Sequence, residues 1–243
     1  MYGGGRGSGR DQRRSRVSGG RRQNWVRSSV TVRYGQEEVP STMTGDITEI
    51  DVGHRLVAWE RVDESAGHSM ARLGRLPRGW RCHGTEVLAG PRQLLSCWFN
   101  VDLDQDWVTR EVVVGAVADG GRRTLTLSAD DRRRWKVNGR HHPDLDGCID
   151  VDVAATPLTN TFPIRRLAGL EVGGQVTTPI AWVDVPDLGV TRVDQTYRRL
   201  PDVEGLAAWE YRDPQHGPFR LTVDTDGLVV TYEGFARRVA ATP

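Results

Sequence analysis

An all-β fold with minor helix, built as a curled antiparallel sheet, follows from three features of this 243-residue sequence. Short runs alternate apolar and polar residues with period two. Clusters of Gly, Pro, Asp and Asn cut the runs apart, and no stretch of a dozen residues holds a helical period.

The strands come in order. RLVAWERV (55–62) opens the series, and LLSCWFNVDLD (94–104) and WVTREVVVGAV (107–117) follow, rich in Val, Leu and aromatic residues that suit a pleated, half-buried surface. RTLTLSA (123–129) and RWKVNG (134–139) are shorter; QVTTPIAWVDV (175–185), GVTRVDQTYRR (189–199) and LAAWEYR (206–212) resume the pattern after a polar interval. FRLTVDTDGLVVTY (219–232) is the clearest hairpin, because Asp226-Gly227 offers the positive-φ residues of a tight turn between two alternating runs. Helix is disfavoured where it could arise: REVVV and LVVTY are β-branched, and GLEVGGQ is broken by glycines. Short connections imply an antiparallel meander. A flat array of about ten strands would leave an apolar face uncovered, so the sheet must close or curl and form a concavity. Trp59, Trp98, Trp107, Trp135, Trp182 and Trp209 fall on these runs; most are expected to fill the core, with Trp182 assigned to the wall of a cavity.

Charge divides the chain. Residues 1–35 carry nine arginines against Asp11 alone, so the net charge of +1 splits into +8 for this tail and −7 for the remainder. Residues 1–42 are expected to be a disordered Arg/Gly/Ser-rich tail, because that composition buries little apolar surface; residues 43–243 are expected to form one domain. Four readings of the tail stand: sequence ahead of a natural start at Met43, inert disorder, a nucleic-acid-binding arm, or a targeting peptide. No run of 18 apolar residues or secretory core is present. Cys82, Cys97 and Cys148, odd in number and widely spaced, fit a reducing cytoplasm better than a disulfide framework.

Catalytic templates are missing. G-x-S-x-G, H-E-x-x-H and a phosphate-binding loop do not occur, His141-His142 has no third ligand at metal spacing, and Cys82 and His83 would point to opposite faces of a strand. No cofactor or metal is therefore expected. Asp150 and Asp152 resemble the paired aspartates of haloacid-dehalogenase-type phosphatases, but that chemistry needs a parallel α/β sheet, and Ala154 stands where the pattern wants Thr or Val. A hydrolase using Asp150 and Asp152 as acid and base remains an alternative.

The run IDVDVAATPLTNTFPIRRL (149–167) holds the densest polar detail. Pro157 and Pro163 stiffen it, and Thr159 and Asn160 can satisfy loop backbone groups. If 162–167 is extended, Arg165 and Arg166 face opposite sides, one pairing with Asp150 or Asp152 and the other facing a ligand; alternatively both arginines pair with the aspartates and hold a corner.

GCIDVDVAATPLTNTFPIRRL, then AWVDVPDLGV, DQTYRR and LTVDTDGLVVTYEGFARR, spanning about residues 55–238, resembles the putative glycolipid-binding domain family. The resemblance implies a spiral antiparallel β-roll, similar to lipoprotein-carrier half-barrels, whose concave apolar face holds a lipid or glycolipid without catalysis. On that reading the tail of the ligand supplies affinity, at about 0.8 kcal/mol per methylene buried. Arg165, Arg166, Gln195 and Tyr197 would donate to the headgroup at the rim, and Asp150, Asp152 and Asn160 would accept from sugar hydroxyls or orient the arginines. The expected cavity is largely apolar, a few hundred Å³ in volume, with Arg165 or Arg166 at its mouth.

Overall fold

The computed structural model describes residues 54–63, 66–90 and 93–242. The expectations for the arginine-rich tail and for a start at Met43 lie outside these residues. Fifteen strands form one sheet: β1 (His54–Arg61), β2 (Ala66–Leu76), β3 (Gly79–Gly90), β4 (Gln93–Leu103), β5 (Thr109–Ala118), β6 (Gly121–Ala129), β7 (Trp135–Val137), β8 (Arg140–His141), β9 (Asp150–Val153), β10 (Gln175–Val183), β11 (Val190–Val203), β12 (Leu206–Arg212), β13 (Phe219–Val223), β14 (Val229–Tyr232) and β15 (Ala236–Ala241), with one helix, α1 (Thr161–Arg166).

The spatial order is β8 to β1 and then β15 to β9. Neighbours in sequence are neighbours in space except that β8 and β9 do not pair, while β1 lies against β15. The sheet is therefore unclosed, with edges at β8 and β9. Among the described residues the sheet is the curled antiparallel one that the sequence predicts, with one exception: β9 runs parallel to β10. A parallel pair needs a crossover, and the 154–174 connection supplies it with α1 inside it.

The curl follows from burial. Along β1 to β6 one face is buried, carrying Val57, Trp59, Leu73, Cys82, Phe99, Val114 and Leu127, and the opposite face is largely exposed. A single sheet with one apolar face can cover that face only by rolling onto it. At the other end of the order the strands are covered on both faces. Val151, Val153, Ala181 and Val183 join the main core, while Asp150, Thr178 and Ile180, on the alternate positions, are buried too. The β9–β10 edge is thus rolled inside, which makes the sheet a spiral. Arg133 pins this edge by donating to the carbonyls of Cys148 and Ile149 beside β9 and of Thr109 on β5, at 2.8–3.1 Å.

Antiparallel order puts the connections into two sets. One end of the roll, called the upper end, carries the β1–β2, β5–β6, β10–β11, β12–β13 and β14–β15 connections; the lower end carries those of β2–β3, β4–β5, β11–β12 and β13–β14. Because β9 runs alongside β10, the chain leaves β9 at the upper end.

The segment that follows departs from the expected extended corner. Residues 155–164 are all buried, and 161–166 are helical rather than extended. Leu158 and Phe162 are 0 % exposed and belong to the main core; Ile164 packs with Tyr197, Trp209 and Leu221 in a second cluster. Pro163 is tolerated because a first-turn residue has no intrahelical acceptor to lose. The run crosses the interior of the roll and emerges at the lower end, where Arg165 donates to the Thr225 carbonyl and lies over the Trp107 ring.

Other details also differ from expectation. Of the Asp226-Gly227 pair only Gly227 has a positive φ, at 73°, and the hairpin closes through Asp224, whose carboxylate accepts from the backbone of Asp226 and Leu228. Trp107 sits in the β4–β5 turn rather than on a strand.

Candidate functional site

At the upper end a cavity of about 290 Å³ opens between the β9 exit, the end of β10, and the β12–β13 and β14–β15 turns. Its walls combine aromatic rings with carboxylates. Trp182, Tyr211, Phe219, Tyr232 and Phe235 contribute rings, and Asp152, Asp213 and Glu233 contribute carboxylates; among the described residues no lysine or arginine belongs to this lining, and the Arg61 guanidinium lies over the Phe235 ring, 3.9 Å from its centroid.

Strand register explains the aromatic wall. Tyr197 on β11 lies opposite Tyr211 on β12, which lies opposite Phe219 on β13, and Tyr232 on β14 faces Leu221 one pleat along. Cross-strand neighbours on one face touch, so the rings form a ladder: Tyr197–Tyr211 at 5.4 Å between centroids, Tyr211–Tyr232 at 6.1 Å, Phe219–Tyr232 at 5.8 Å and Tyr232–Phe235 at 4.8 Å.

A hydrogen-bonded network fixes the floor. Asp152 accepts from the Thr159 hydroxyl and the Gln195 amide, each at 2.6 Å. Gln195 also donates to the Tyr211 hydroxyl at 2.9 Å, and Tyr211 donates to Asp213 at 3.2 Å. Tyr197 donates to the Asn160 side-chain oxygen at 2.9 Å. Burial raises the Asp152 pKa, and the bonds from Thr159 and Gln195 oppose that rise. Burial also pushes the Tyr211 and Tyr232 hydroxyls upward, so both stay protonated and able to donate.

Donors are left over. Asn160, 4 % exposed, lines the cavity and spends its carbonyl oxygen on Tyr197, and its amide N–H groups have no acceptor among the described residues. The Tyr232 hydroxyl and the Trp182 indole N–H likewise have no hydrogen-bond partner among the described residues. Unmatched donors beside carboxylates and ring faces suit a ligand that accepts, donates and stacks at once.

The candidates read from the sequence separate into two groups. Asp152, Asn160 and Trp182 line the cavity, and Gln195 and Tyr197 brace it from behind. Asp150, Arg165 and Arg166 do not reach it. Arg166 forms a two-pronged pair with Asp150 at 2.8 and 2.5 Å and donates to the Trp107 carbonyl, at the lower end. Asp150 is 1 % exposed; burial raises its pKa and Arg166 opposes this. Helix formation carries both arginines, expected at the mouth of a cavity, to the end of the roll opposite this one, where they tie the corner. Where an apolar chamber was expected, the buried 155–164 run occupies the interior, with Leu158 and Phe162 in the main core. An acid–base pair of Asp150 and Asp152 does not form at the cavity, since Asp150 is sealed behind Arg166.

Sequence reasoning missed Tyr211, Asp213, Phe219, Tyr232 and His216. The turn-rich stretch YRDPQHGPF and the alternate aromatic positions on successive strands were their only signals. Glu86 was missed too. It is 0 % exposed on the inner face of β3, with no hydrogen bond of good geometry to either carboxyl oxygen. Burial pushes it up to about 8, against the lowering influence of the Thr156 and Ser69 hydroxyls and of Arg61. Elsewhere, His141 pairs with Asp146 at 2.9 Å, and all three cysteines are free and buried.

The putative glycolipid-binding family matches residues 56–238. The chain belongs to this family. Among solved structures, this family member is similar to a DUF1089 family protein from Pseudomonas aeruginosa, with 31 % identity over 70 % of this chain and 92 % of that one and a TM-score of 0.60. The glycolipid-binding family fold also resembles a β-barrel-like DUF1849 protein from Brucella abortus at 12 % identity, covering 77 % of this chain and 96 % of that one, with a TM-score of 0.50. No curated protein matches the chain. The family supports a binding role, and the solved structures share the fold. Among the described residues no helix is long and apolar enough to cross a membrane.

Proposed function

We propose that this protein binds a glycolipid non-catalytically through its sugar headgroup, seated in the upper-end cavity. The supporting observation is the cavity's lining: ring faces and carboxylates surround the unpartnered Asn160 amide, Tyr232 hydroxyl and Trp182 indole N–H. Sugars present apolar C–H faces that stack on aromatic rings and hydroxyls that both donate and accept. A phosphate or sulfate headgroup would instead meet the three carboxylates of Asp152, Asp213 and Glu233, against the Arg61 guanidinium over the Phe235 ring, which is itself paired with Asp63.

The alkyl tail stays outside the roll in this reading, because the interior is filled by the protein's own 155–164 run. Affinity then depends on the headgroup more than on chain length, which revises the expectation that the tail would dominate. Free buried thiols at Cys82, Cys97 and Cys148 fit a reducing compartment such as the cytoplasm.

Tryptophan-fluorescence titration with octyl glycosides and with octyl phosphate, below their micelle concentrations, tests this function. At least one glycoside should saturate the signal, octyl phosphate should not compete, and Trp182→Ala and Tyr232→Phe should each weaken binding about tenfold, the worth of one good contact. Preference for the phosphate, or glycoside binding indifferent to both substitutions, would overturn the assignment.

A further inference from the structure

A second cavity of about 530 Å³ adjoins the first. It lies along the start of β11 and beneath the β12–β13 turn, and it shares Trp182, Asp213 and His216 with the first cavity. Lining residues in common make the two spaces neighbouring lobes, with Trp182 contributing to the walls of both. The outer lobe adds Thr191, Arg192, Asp194 and Gln215, planar or hydroxyl-bearing side chains of mixed charge, beside the apolar Val193 and Pro214.

The shared wall is held in place. Asp213 accepts from the backbone N–H groups of Gln215 and His216 at 2.7 Å each and from the Tyr211 hydroxyl, so the 213–216 turn is rigidly presented to both lobes. Arg192 donates to the Asp146 carbonyl at 2.8 Å, which fixes the guanidinium stem at the lobe's edge. The indole of Trp182 has two faces and an unpartnered N–H, and its ring lines both spaces.

We infer that the cleft takes a headgroup of two sugar units, one in each lobe, with Trp182 contacting both. The inner unit meets the Asn160 amide and Tyr232 hydroxyl; the outer unit meets Asp194 and Gln215. This rests on the headgroup reading above and adds to it the size class of the ligand. The inner lobe, about 290 Å³, sits at the lower edge of the small-ligand range and the outer, about 530 Å³, within it, and a single sugar would leave the larger, outer one to water.

The test compares octyl monoglycosides (glucoside, galactoside) with octyl diglycosides (maltoside, lactoside, cellobioside) by calorimetric titration of the full chain. At least one diglycoside should bind ten times or more tightly than its parent monoglycoside. Asp194→Ala and Gln215→Ala, both exposed side chains outside the inner lobe, should erase that gain while leaving monoglycoside affinity unchanged. Equal affinities for the two classes would overturn the two-unit inference and leave the headgroup reading standing. A gain that survives both substitutions would also overturn it, by placing the second unit elsewhere. Binding by no glycoside of either class would overturn both.

Discussion

Glu86 shows how one side chain can couple this fold to pH. Its carboxyl is sealed on the inner face beside Thr156, a residue that lines the first cavity, and no donor closes a well-formed hydrogen bond to it. The folded protein keeps the Glu86 proton up to about pH 8, whereas an unfolded chain releases it near the ordinary 4.5. The stabilisation linked to that proton is complete below pH 4.5 and is lost as pH rises towards 8. Wild-type unfolding free energy should therefore fall between about pH 5.5 and pH 8.5. Glu86→Gln, which keeps the shape and carries no charge, should flatten the fall. Urea denaturation of both proteins at the two pH values measures it, and parallel curves would show that Glu86 ionises freely in the fold.

At the scale of elements, the α1 segment decides where chemistry can occur. Its arginines serve different purposes from those their sequence suggests. Arg166→Ala would strand the Asp150 carboxylate, 1 % exposed, and should cost about 3–5 kcal/mol. Arg165→Ala loses one bond to a carbonyl and a cation–π contact with Trp107, and should cost about 1 kcal/mol. Glycoside affinity should survive Arg165→Ala unchanged, because Arg165 lies at the lower end; a large loss of affinity would return it to the binding site. The strands of period two were legible because β4, β5, β6 and β10 to β14 place large apolar residues on one face. Strands β2 and β3 were not, because their inner positions are small: Gly84 lies under the Phe99 ring, where a Cβ would approach to 2.1 Å, and Gly67, Ser69 and Ala71 offer little hydrophobic signal. The helix was illegible for a different reason. Six residues containing a proline carry no helical period, and burial on all sides, not propensity, holds them in that form. Of the site, Asp152, Asn160, Gln195, Tyr197 and Trp182 could be picked out as polar or aromatic residues on unusual runs. The carboxylates and rings of the β12–β13 and β14–β15 turns needed the strand register to bring them together.

The whole molecule inverts the usual relation between chain ends and sheet edges. The first and last described strands, β1 and β15, pair with each other at the middle of the fifteen-strand order, and the edges are formed by β8 and β9 from the middle of the chain. Thr242 donates its backbone N–H to Leu56 at 2.8 Å, and Arg238 reaches from β15 to Asp224 and to the Val229 carbonyl, tying β15 across the β13–β14 hairpin. A terminal segment in most sheets can fray at modest cost, but β15 has a ladder on each side. Ending the chain before Ala236 would remove both ladders, expose the buried Trp59 whose indole donates to the Val229 carbonyl, and separate the two halves of the spiral. We expect that truncation to abolish cooperative unfolding. By contrast, we propose that the folding unit begins no earlier than Met43, so a chain starting there should keep the full-length melting temperature within about 2 °C, less than a 1 kcal/mol change would produce. Thermal denaturation followed by near-ultraviolet circular dichroism distinguishes the two ends. A drop of several degrees on removing residues 1–42 would mean that they dock on the sheet, and a cooperative transition without residues 236–243 would mean that β14 and β1 can join without the strand between them.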